Sequence, residues 1–231
     1  MRSSLLKCVI AFLIALPISY FLTKYAFEAL TLPVPGIKLI YTEITEMLGT
    51  YFKVTLVIAL ILVLPYITYR VIYFIRPALT VNERRYVYAL LPTVVICFLI
   101  GAAFAYFVLL PPALNFLFTF GSDIAEPMIK VGNYVSVVTT LLFWIGICFE
   151  IPIILFFLSK IGIIQPNWLS KFRKSAYLIA FILGAFITPT MDPINQLIVA
   201  IPIIILYEFG IILAKLARRK KKVENIAEAG T

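Results

Sequence analysis

The chain has 231 residues, of which 63% are hydrophobic and 13% are charged. A soluble domain has about 45–50% apolar and about 25% charged residues, and a disordered chain is poor in apolar residues, so this composition excludes both classes. The formal net charge is +9 and there is no histidine, which removes the usual proton shuttle and any Ser-His or Cys-His catalytic pair. These features indicate a polytopic helical membrane protein.

Six apolar runs are candidates for crossing a lipid core, which needs about 20 helical residues. In chain order they are Leu5–Leu22, Val54–Phe74, Tyr86–Leu110, Val135–Leu158, Ala176–Ile187 and Leu197–Leu213. We expect Pro111 and Pro112 to end the third helix, and Ala113–Phe120 to form a short helix in the interface. The predicted fold class is all-α, with six transmembrane helices of which the last two are short. One domain covers residues 1–217, and a disordered basic tail covers residues 218–231.

The basic residues are distributed unequally between the two sets of loops. With six crossings, one side holds sixteen Lys and Arg residues and the other holds four, which are Lys24, Lys38, Lys53 and Lys130. The positive-inside rule then places both termini in the cytoplasm and predicts a multi-pass protein of the cytoplasmic membrane. The basic stretch Lys215–Lys222 is interpreted as an orientation signal that attracts anionic membrane lipids, and not as a nucleic-acid site.

The fifth run is short for a crossing helix. Ala176–Ile187 would reach only about 20 Å, against a hydrocarbon core of about 30 Å. Either the fifth and sixth runs cross a locally thinned bilayer, or they enter and return as a re-entrant hairpin about the proline-rich turn Thr188–Pro193. We favour crossing, because a re-entrant backbone needs protein cover on all sides.

Two carboxyl groups lie within apolar runs. Glu150 precedes Pro152 by two residues, and a charge at the bilayer centre costs about 2.5–3.5 kcal/mol. We favour a polar contact that faces a cavity or a partner, and the alternative is an internal hydrogen bond that replaces the backbone bond removed by Pro152. Glu208 fits a snorkelling interfacial residue as well as a functional one.

Glu83 is the only carboxylate in the predicted cytoplasmic loops between spans. Together with Thr80 it fits a capping box, S/T-x-x-E, ahead of the third helix. The alternative is that Glu83 receives a cationic ligand. The neighbouring Arg84 and Arg85 would repel a cation, so Glu83 is the group of this segment to which a cation can bind.

Asp192, Asn195 and Gln196 open the sixth run, where they can cap the helix or form hydrogen bonds across helices. The three cysteines lie in apolar runs and are predicted to be free thiols. No metal-ligand spacing or catalytic motif is present in the sequence, so we expect a protein without a cofactor that is not an enzyme.

Several motifs, in their order and spacing, resemble those of the TatC family, the C subunit of the twin-arginine protein translocase. They are Phe74–Leu79 with Glu83–Arg85, Gly101–Val108 with Pro111, Phe149–Pro152, Gly184–Pro189 with Asp192, Pro193 and Gln196, and Ala200–Pro202 with Leu206–Ile211. The resemblance covers nearly the whole chain. It departs at Met191, where the family usually has proline, and at the start, where only Arg2 remains of a Glu-Leu-Arg motif in a cytoplasmic amphipathic segment.

The resemblance implies a receptor and scaffold that binds paired-arginine signal peptides of folded precursors. It also implies recruitment of single-span partner subunits of the TatA and TatB type into a hetero-oligomer, and export driven by the proton-motive force. Carried over by position, Glu83 would receive the arginine pair, and the loop around it would be shaped by Phe74, Pro77, Leu79 and Arg84.

The remaining positions carried over from the family lie in the membrane or at the external face. Glu150 would face a membrane cavity. Polar contacts to a partner helix would come from Thr188, Asp192, Gln196 and Glu208, and the external face would be supported by Pro33 and Tyr106. The rival hypothesis is a secondary transporter or channel for a small solute, because transporters also place a buried carboxyl group beside a broken helix.

Overall fold

The structure, a computed structural model, describes residues 2–31, 39–75, 81–119, 128–188 and 192–229. Almost all of these residues are helical, which confirms the predicted all-α class. Ile40 and Lys130 form an isolated parallel bridge. The α-helices of the described residues are α1 (Arg2–Thr31), α2 (Ile44–Ile75), α3 (Val81–Phe104), α4 (Leu110–Thr119), α5 (Val131–Cys148), α6 (Ile151–Lys160), α7 (Pro166–Lys171), α8 (Arg173–Ile187) and α9 (Pro193–Ala229).

Among the described residues, five segments are long and apolar enough to cross a membrane. They are Leu6–Leu30, Ile44–Arg70, Leu91–Thr119, Val131–Lys160 and Pro193–Arg218. Each contains or overlaps one predicted run, which confirms a multi-pass membrane protein. The remaining run forms α8, whose 15 residues extend about 22 Å, so the sixth crossing stays a prediction.

The third span does not end at Pro111 and Pro112, which corrects the sequence prediction. From α3 the chain passes into a π-helical turn, Ala105–Leu109, and α4 then continues through both prolines to Thr119. The amide of Leu110 donates to the carbonyl of Ala105, five residues back. Both prolines therefore lie in the first turn of α4, where a missing N–H is tolerated. The expected interfacial helix is instead the end of one long span.

The last helix is much longer than the predicted sixth run. α9 continues through the basic segment to Ala229. Lys, Arg, Glu and Ala make up most of this segment, and all four have high helix propensity. The helix can therefore extend beyond its apolar part.

The chain divides into two compact units, and the first comprises Met1–Ala78 and Ala102–Trp144. Two tyrosines hold the end of α1 in this unit. The hydroxyl of Tyr106 donates to the carbonyl of Ala29 at 2.7 Å, and that of Tyr134 donates to the carbonyl of Leu30 at 2.8 Å. The last carbonyls of a helix have no partner within it, so these bonds satisfy groups that would otherwise be unpaired. The surrounding core consists of Leu30, Val54, Leu110, Leu114, Val131, Tyr134, Val135 and Val138.

The second unit comprises Leu79–Gly101 and Ile145–Thr231. Within it, α6, α7 and α9 are joined by buried contacts and two side-chain hydrogen bonds. Leu169 of α7 packs with Ile211 and Ala214 of α9. The hydroxyl of Ser159 donates to the carbonyl of Ala214 at 3.0 Å, and that of Tyr207 donates to the carbonyl of Leu169 at 2.9 Å. This arrangement fixes the helices that carry Glu150 and Glu208.

Candidate functional site

Glu150 lies at a break between α5 and α6. The turn Phe149–Glu150 separates the two helices, and Pro152 occupies the first turn of α6, where its missing N–H is tolerated. The Glu150 side chain is 8% exposed, and its Oε1 has no hydrogen-bond partner within the described residues. Within the described residues this oxygen therefore does not make the internal bond that was one alternative for the carboxyl group. Such a carboxyl group can accept a hydrogen bond from a polar or cationic group that reaches it.

Two glycines let neighbouring helices approach this break. A Cβ at Gly101 of α3 would lie 2.8 Å from the Cβ of Phe149, and one at Gly210 of α9 would lie 3.2 Å from the Cα of Pro152. Both distances are shorter than ordinary van der Waals contact, so neither position has room for a side chain. Glu150 therefore lies where α3, α6 and α9 converge within the second unit.

Glu208 joins α8 and α9. Its Oε2 accepts a hydrogen bond from Nη2 of Arg173 at 2.8 Å, and its Oε1 accepts one from the hydroxyl of Tyr177 at 2.6 Å. The two donors lie one turn apart at the start of α8. The sequence left Glu208 open as a snorkelling interfacial residue or as a functional one. In the structure Glu208 forms an internal ion pair between helices, which leaves it little capacity for another cation.

The turn between α8 and α9 is organised by Asp192. Its Oδ2 accepts the backbone N–H of Asn195 at 2.7 Å, which is the capping interaction that the sequence left as one alternative. Gln196 instead bonds across helices, because its Nε2 donates to the carbonyl of Phe181 at 2.9 Å. The hydroxyl of Thr188 donates to the carbonyl of Gly184 within its own helix at 2.9 Å. Both predicted modes, capping and cross-helix bonding, thus occur here at different residues.

The residues predicted to bind a signal peptide are placed only in part. Phe74 lies in the last turn of α2, while Glu83 and Arg84 lie in the first turn of α3, which begins at Val81. That start puts Glu83 at the third helical position, as a capping box with Thr80 requires. Thr80, Pro77, Leu79 and Pro33 lie outside the described residues.

Sequence reasoning missed Glu46, which links two helix starts in the first unit. Its Oε1 accepts the backbone N–H of Gly132 at 3.0 Å, and its Oε2 accepts that of Thr42 at 3.0 Å. A carboxylate in the first turn of α2 is favoured by the helix dipole, and this position was the only available signal. The bond to Gly132 joins residues 86 positions apart, so sequence spacing could not have revealed it.

The cysteines Cys8, Cys97 and Cys148 are free thiols, as predicted. Within the described part of the chain, no group of three or more Cys, Asp or Glu side chains is arranged to hold a metal ion. The polar side chains described above form hydrogen bonds within and between helices.

Comparisons with known proteins identify the family. The family described as "Sec-independent protein translocase protein (TatC)" matches residues 1–202. A TatC protein of Aquifex aeolicus is 42% identical, covering 96% of this chain and 94% of its own, and one of Carboxydothermus hydrogenoformans is 36% identical, covering 96% and 92%. A crystal structure described as "Twin Arginine Translocase Receptor- TatC" superposes with a TM-score of 0.84 at 41% identity, covering 94% of this chain and 96% of that one. The chain therefore belongs to the TatC family, whose members are protein-transport components and not enzymes.

Proposed function

We propose that this protein is the receptor and scaffold subunit of a twin-arginine translocase. The observation that carries the proposal is the likeness over 94% of the chain to a solved protein described as a twin-arginine translocase receptor. In this role the chain binds paired-arginine signal peptides, recruits single-span TatA- and TatB-type subunits, and takes part in proton-motive-force-driven export of folded proteins.

The proposed topology has six crossings with both termini in the cytoplasm. The five apolar spans supply five crossings, and α8 supplies the sixth across a thinned part of the bilayer. The unequal distribution of Lys and Arg supports this orientation, because cytoplasmic loops carry an excess of both. The membrane is then the cytoplasmic membrane of the cell.

The arginine pair of the signal peptide is proposed to bind at Glu83. An arginine pair needs a carboxylate, and Glu83 is the carboxylate of this loop sequence. Phe74, Pro77, Leu79 and Arg84 are proposed to shape the loop around it. The start of α3 at Val81 keeps Glu83 close to the helix end, next to the loop.

Glu150 and Gln196 are proposed to contact helices that arrive from other chains. Glu150 brings a buried carboxyl oxygen without a partner among the described residues, and a polar residue of an incoming helix can supply the missing donor. Gln196 uses one amide N–H for the carbonyl of Phe181, which leaves the rest of its amide for a partner. Thr188, Asp192 and Glu208 support this surface by the bonds that they form within the unit.

A small-solute transporter is the second candidate, because the break between α5 and α6 beside Glu150 resembles the discontinuous helices of transporters. Reconstituted vesicles separate the two candidates. We expect purified protein in lipid vesicles to bind a paired-arginine signal peptide and to transport no small metabolite unaided. Metabolite uptake without signal-peptide binding would establish the rival function.

The proposal is tested by complementing an export-defective strain with this chain. The reporter is a folded protein whose signal peptide carries either a paired arginine or a paired lysine. We expect the arginine reporter alone to be exported, since a lysine cannot form the bidentate contact of an arginine with a carboxylate. The site is tested by crosslinking the signal peptide to Glu83→Ala, with Glu43→Ala as a control. Equal crosslinking of Glu83→Ala and the unaltered protein would refute the role of Glu83.

A further inference from the structure

An exposed aromatic pair lies on the short helix α7 of the second unit and on Phe172, the residue that follows it. Trp168 is 53% exposed and Phe172 is 44% exposed, and their ring centroids are 4.2 Å apart. Leu169 between them in sequence is 4% exposed, so this segment buries Leu169 and presents two large exposed rings. Two large rings in contact on one exposed surface indicate that an apolar or interfacial environment covers them.

The aromatic pair is fixed to a defined level of α9. Leu169 packs against Ile211 and Ala214, and its carbonyl accepts the hydroxyl of Tyr207. Ala214 lies one turn before Arg218, at which the apolar span Pro193–Arg218 ends. The rings therefore lie at the end of an apolar span, which is the level that tryptophan prefers at a membrane–water interface.

Basic residues flank Phe172 in the sequence, and others lie at the end of the apolar span of α9. The side chains of Lys171 and Lys174 are exposed beside Phe172, and those of Lys215 and Arg218 are exposed on the last turns of the span. No Asp or Glu occurs from residue 160 to 207 except Asp192, and none from 209 to 223. The carboxylate of Glu208 is paired with Arg173, so it does not neutralise the charge of the four exposed cations named above.

We propose that this surface binds the headgroups of anionic phospholipids. We define the basic-aromatic patch as Trp168, Phe172, Lys171, Lys174, Lys215 and Arg218. The rings occupy the boundary between acyl chains and headgroups, and the cations attract the lipid phosphates. The exposed apolar side chains Ile205, Ile212 and Leu216 run along α9 towards the patch, so acyl chains cover the helix up to the level of the cations.

An anionic membrane explains this patch better than an acidic polypeptide does. An acidic polypeptide in water would pair with the four cations but would leave the exposed rings of Trp168 and Phe172 without an apolar neighbour. A bilayer satisfies the rings and the cations together. The inference needs only that the chain is embedded in a membrane, so it stands or fails independently of the proposed role in translocation.

The test uses Trp168 as a fluorescent reporter of nearby lipid. The chain has two tryptophans, so Trp144→Phe leaves Trp168 as the only one. The variant protein is placed in lipid discs in which a fraction of either phosphatidylglycerol or phosphatidylcholine carries brominated acyl chains, which quench tryptophan at short range. We expect brominated phosphatidylglycerol to quench Trp168 more strongly, with a relative association constant about fivefold above that of phosphatidylcholine, as one cation near an anionic surface already provides.

The charge dependence separates a specific patch from a general attraction. In Lys171→Gln/Lys174→Gln we expect the preference for phosphatidylglycerol to fall towards one. The matched control is Lys24→Gln/Lys130→Gln, which removes the same charge from exposed positions of the first unit and should keep the preference. If Trp144→Phe does not fold, native mass spectrometry of the chain with both tryptophans, after equilibration with a mixture of the two lipids, counts the retained phosphatidylglycerol.

Several outcomes would overturn the inference. Equal quenching by the two brominated lipids would show that the patch does not select anionic headgroups. An equal loss of preference in the control pair would show attraction by net charge alone. Absence of quenching by either lipid, together with a spectral shift of Trp168 on addition of polyglutamate, would assign the patch to an acidic polypeptide.

Discussion

The carboxylate of Glu208 on α9 is held by Arg173 on α8, with 2.8 Å between Oε2 and Nη2. The side chains are 30% and 43% exposed, so the pair lies at the edge of the second unit. The hydroxyl of Tyr177 adds a second donor to the same carboxylate. One acidic side chain thus fixes the start of the short helix α8 against the long helix α9.

We expect Arg173→Gln and Glu208→Gln each to destabilise the packing of α8 against α9. Because the pair is partly exposed, a double-mutant cycle of thermal unfolding in lipid discs should give a coupling of about 0.5–1 kcal/mol. Tyr177→Phe should also destabilise this packing, because the hydroxyl bond to Glu208 is lost. Ser175→Ala is the control, since this exposed serine lies on the same turn of α8 and outside the pair. A zero coupling energy would show that the contact does not contribute to stability.

Glu46→Ala should destabilise the first unit, because the backbone N–H groups of Gly132 and Thr42 lose their acceptor. Glu46→Gln should destabilise the unit less than Glu46→Ala does, since its amide oxygen can still accept one of the two bonds. Glu43→Ala, three residues earlier and exposed, should change the unfolding temperature little. Thermal unfolding and amide hydrogen exchange at Gly132 measure the effect. Unchanged exchange in Glu46→Ala would contradict this interpretation.

Gly101→Ala should destabilise the second unit by about 1–3 kcal/mol, because the new Cβ would lie 2.8 Å from the Cβ of Phe149. A Cβ cannot rotate away, so relief requires the helices to separate. Gly49→Ala is the matched control, since it also lies within a helix but has no atom within 4 Å of the added Cβ. We expect it to be neutral or slightly stabilising, and equal unfolding temperatures for the two variants would refute the close approach.

Glu150→Ala and Glu150→Gln separate burial from hydrogen bonding at the helix break. Both should insert and fold, because the Oε1 atom makes no bond within the described residues that folding would lose. In Glu150→Ala we expect export of a paired-arginine reporter to fall at least tenfold, or about 1.4 kcal/mol. Glu150→Gln, which keeps a carbonyl oxygen, should retain more export. Normal export by Glu150→Ala would show that the carboxyl group has no role in transport.

The proposed topology predicts that Gly121 and Thr231 face opposite sides of the membrane. Single cysteines at Gly121 and Thr231, introduced after Cys8, Cys97 and Cys148 are replaced by serine, should react with an impermeant thiol reagent from opposite sides of the membrane. The unequal distribution of basic residues motivates this expectation. Labelling of both from the same side would contradict the proposed six crossings.

The sequence predicted the membrane spans better than it predicted the ends of the helices. The composition and the apolar runs were sufficient for an all-α membrane protein, because in lipid every backbone polar group must be satisfied within the chain and a helix does this locally. The ends of helices were less predictable. Two prolines did not stop the third span, since the π-helical turn Ala105–Leu109 places them in a helix start. α9 also continues through the basic segment after residue 218, most of whose residues have high helix propensity.

The sequence by itself determined the class of protein, the family motifs and the candidates Glu150 and Glu208, because each depends on local composition or spacing. Only the tertiary structure decided which groups the carboxylates contact. Glu208 lies 35 positions from the arginine that pairs with it, and Glu46 lies 86 positions from the amide that it caps. Partners so far apart meet only when helices pack, and no pattern of neighbouring residues encodes that packing.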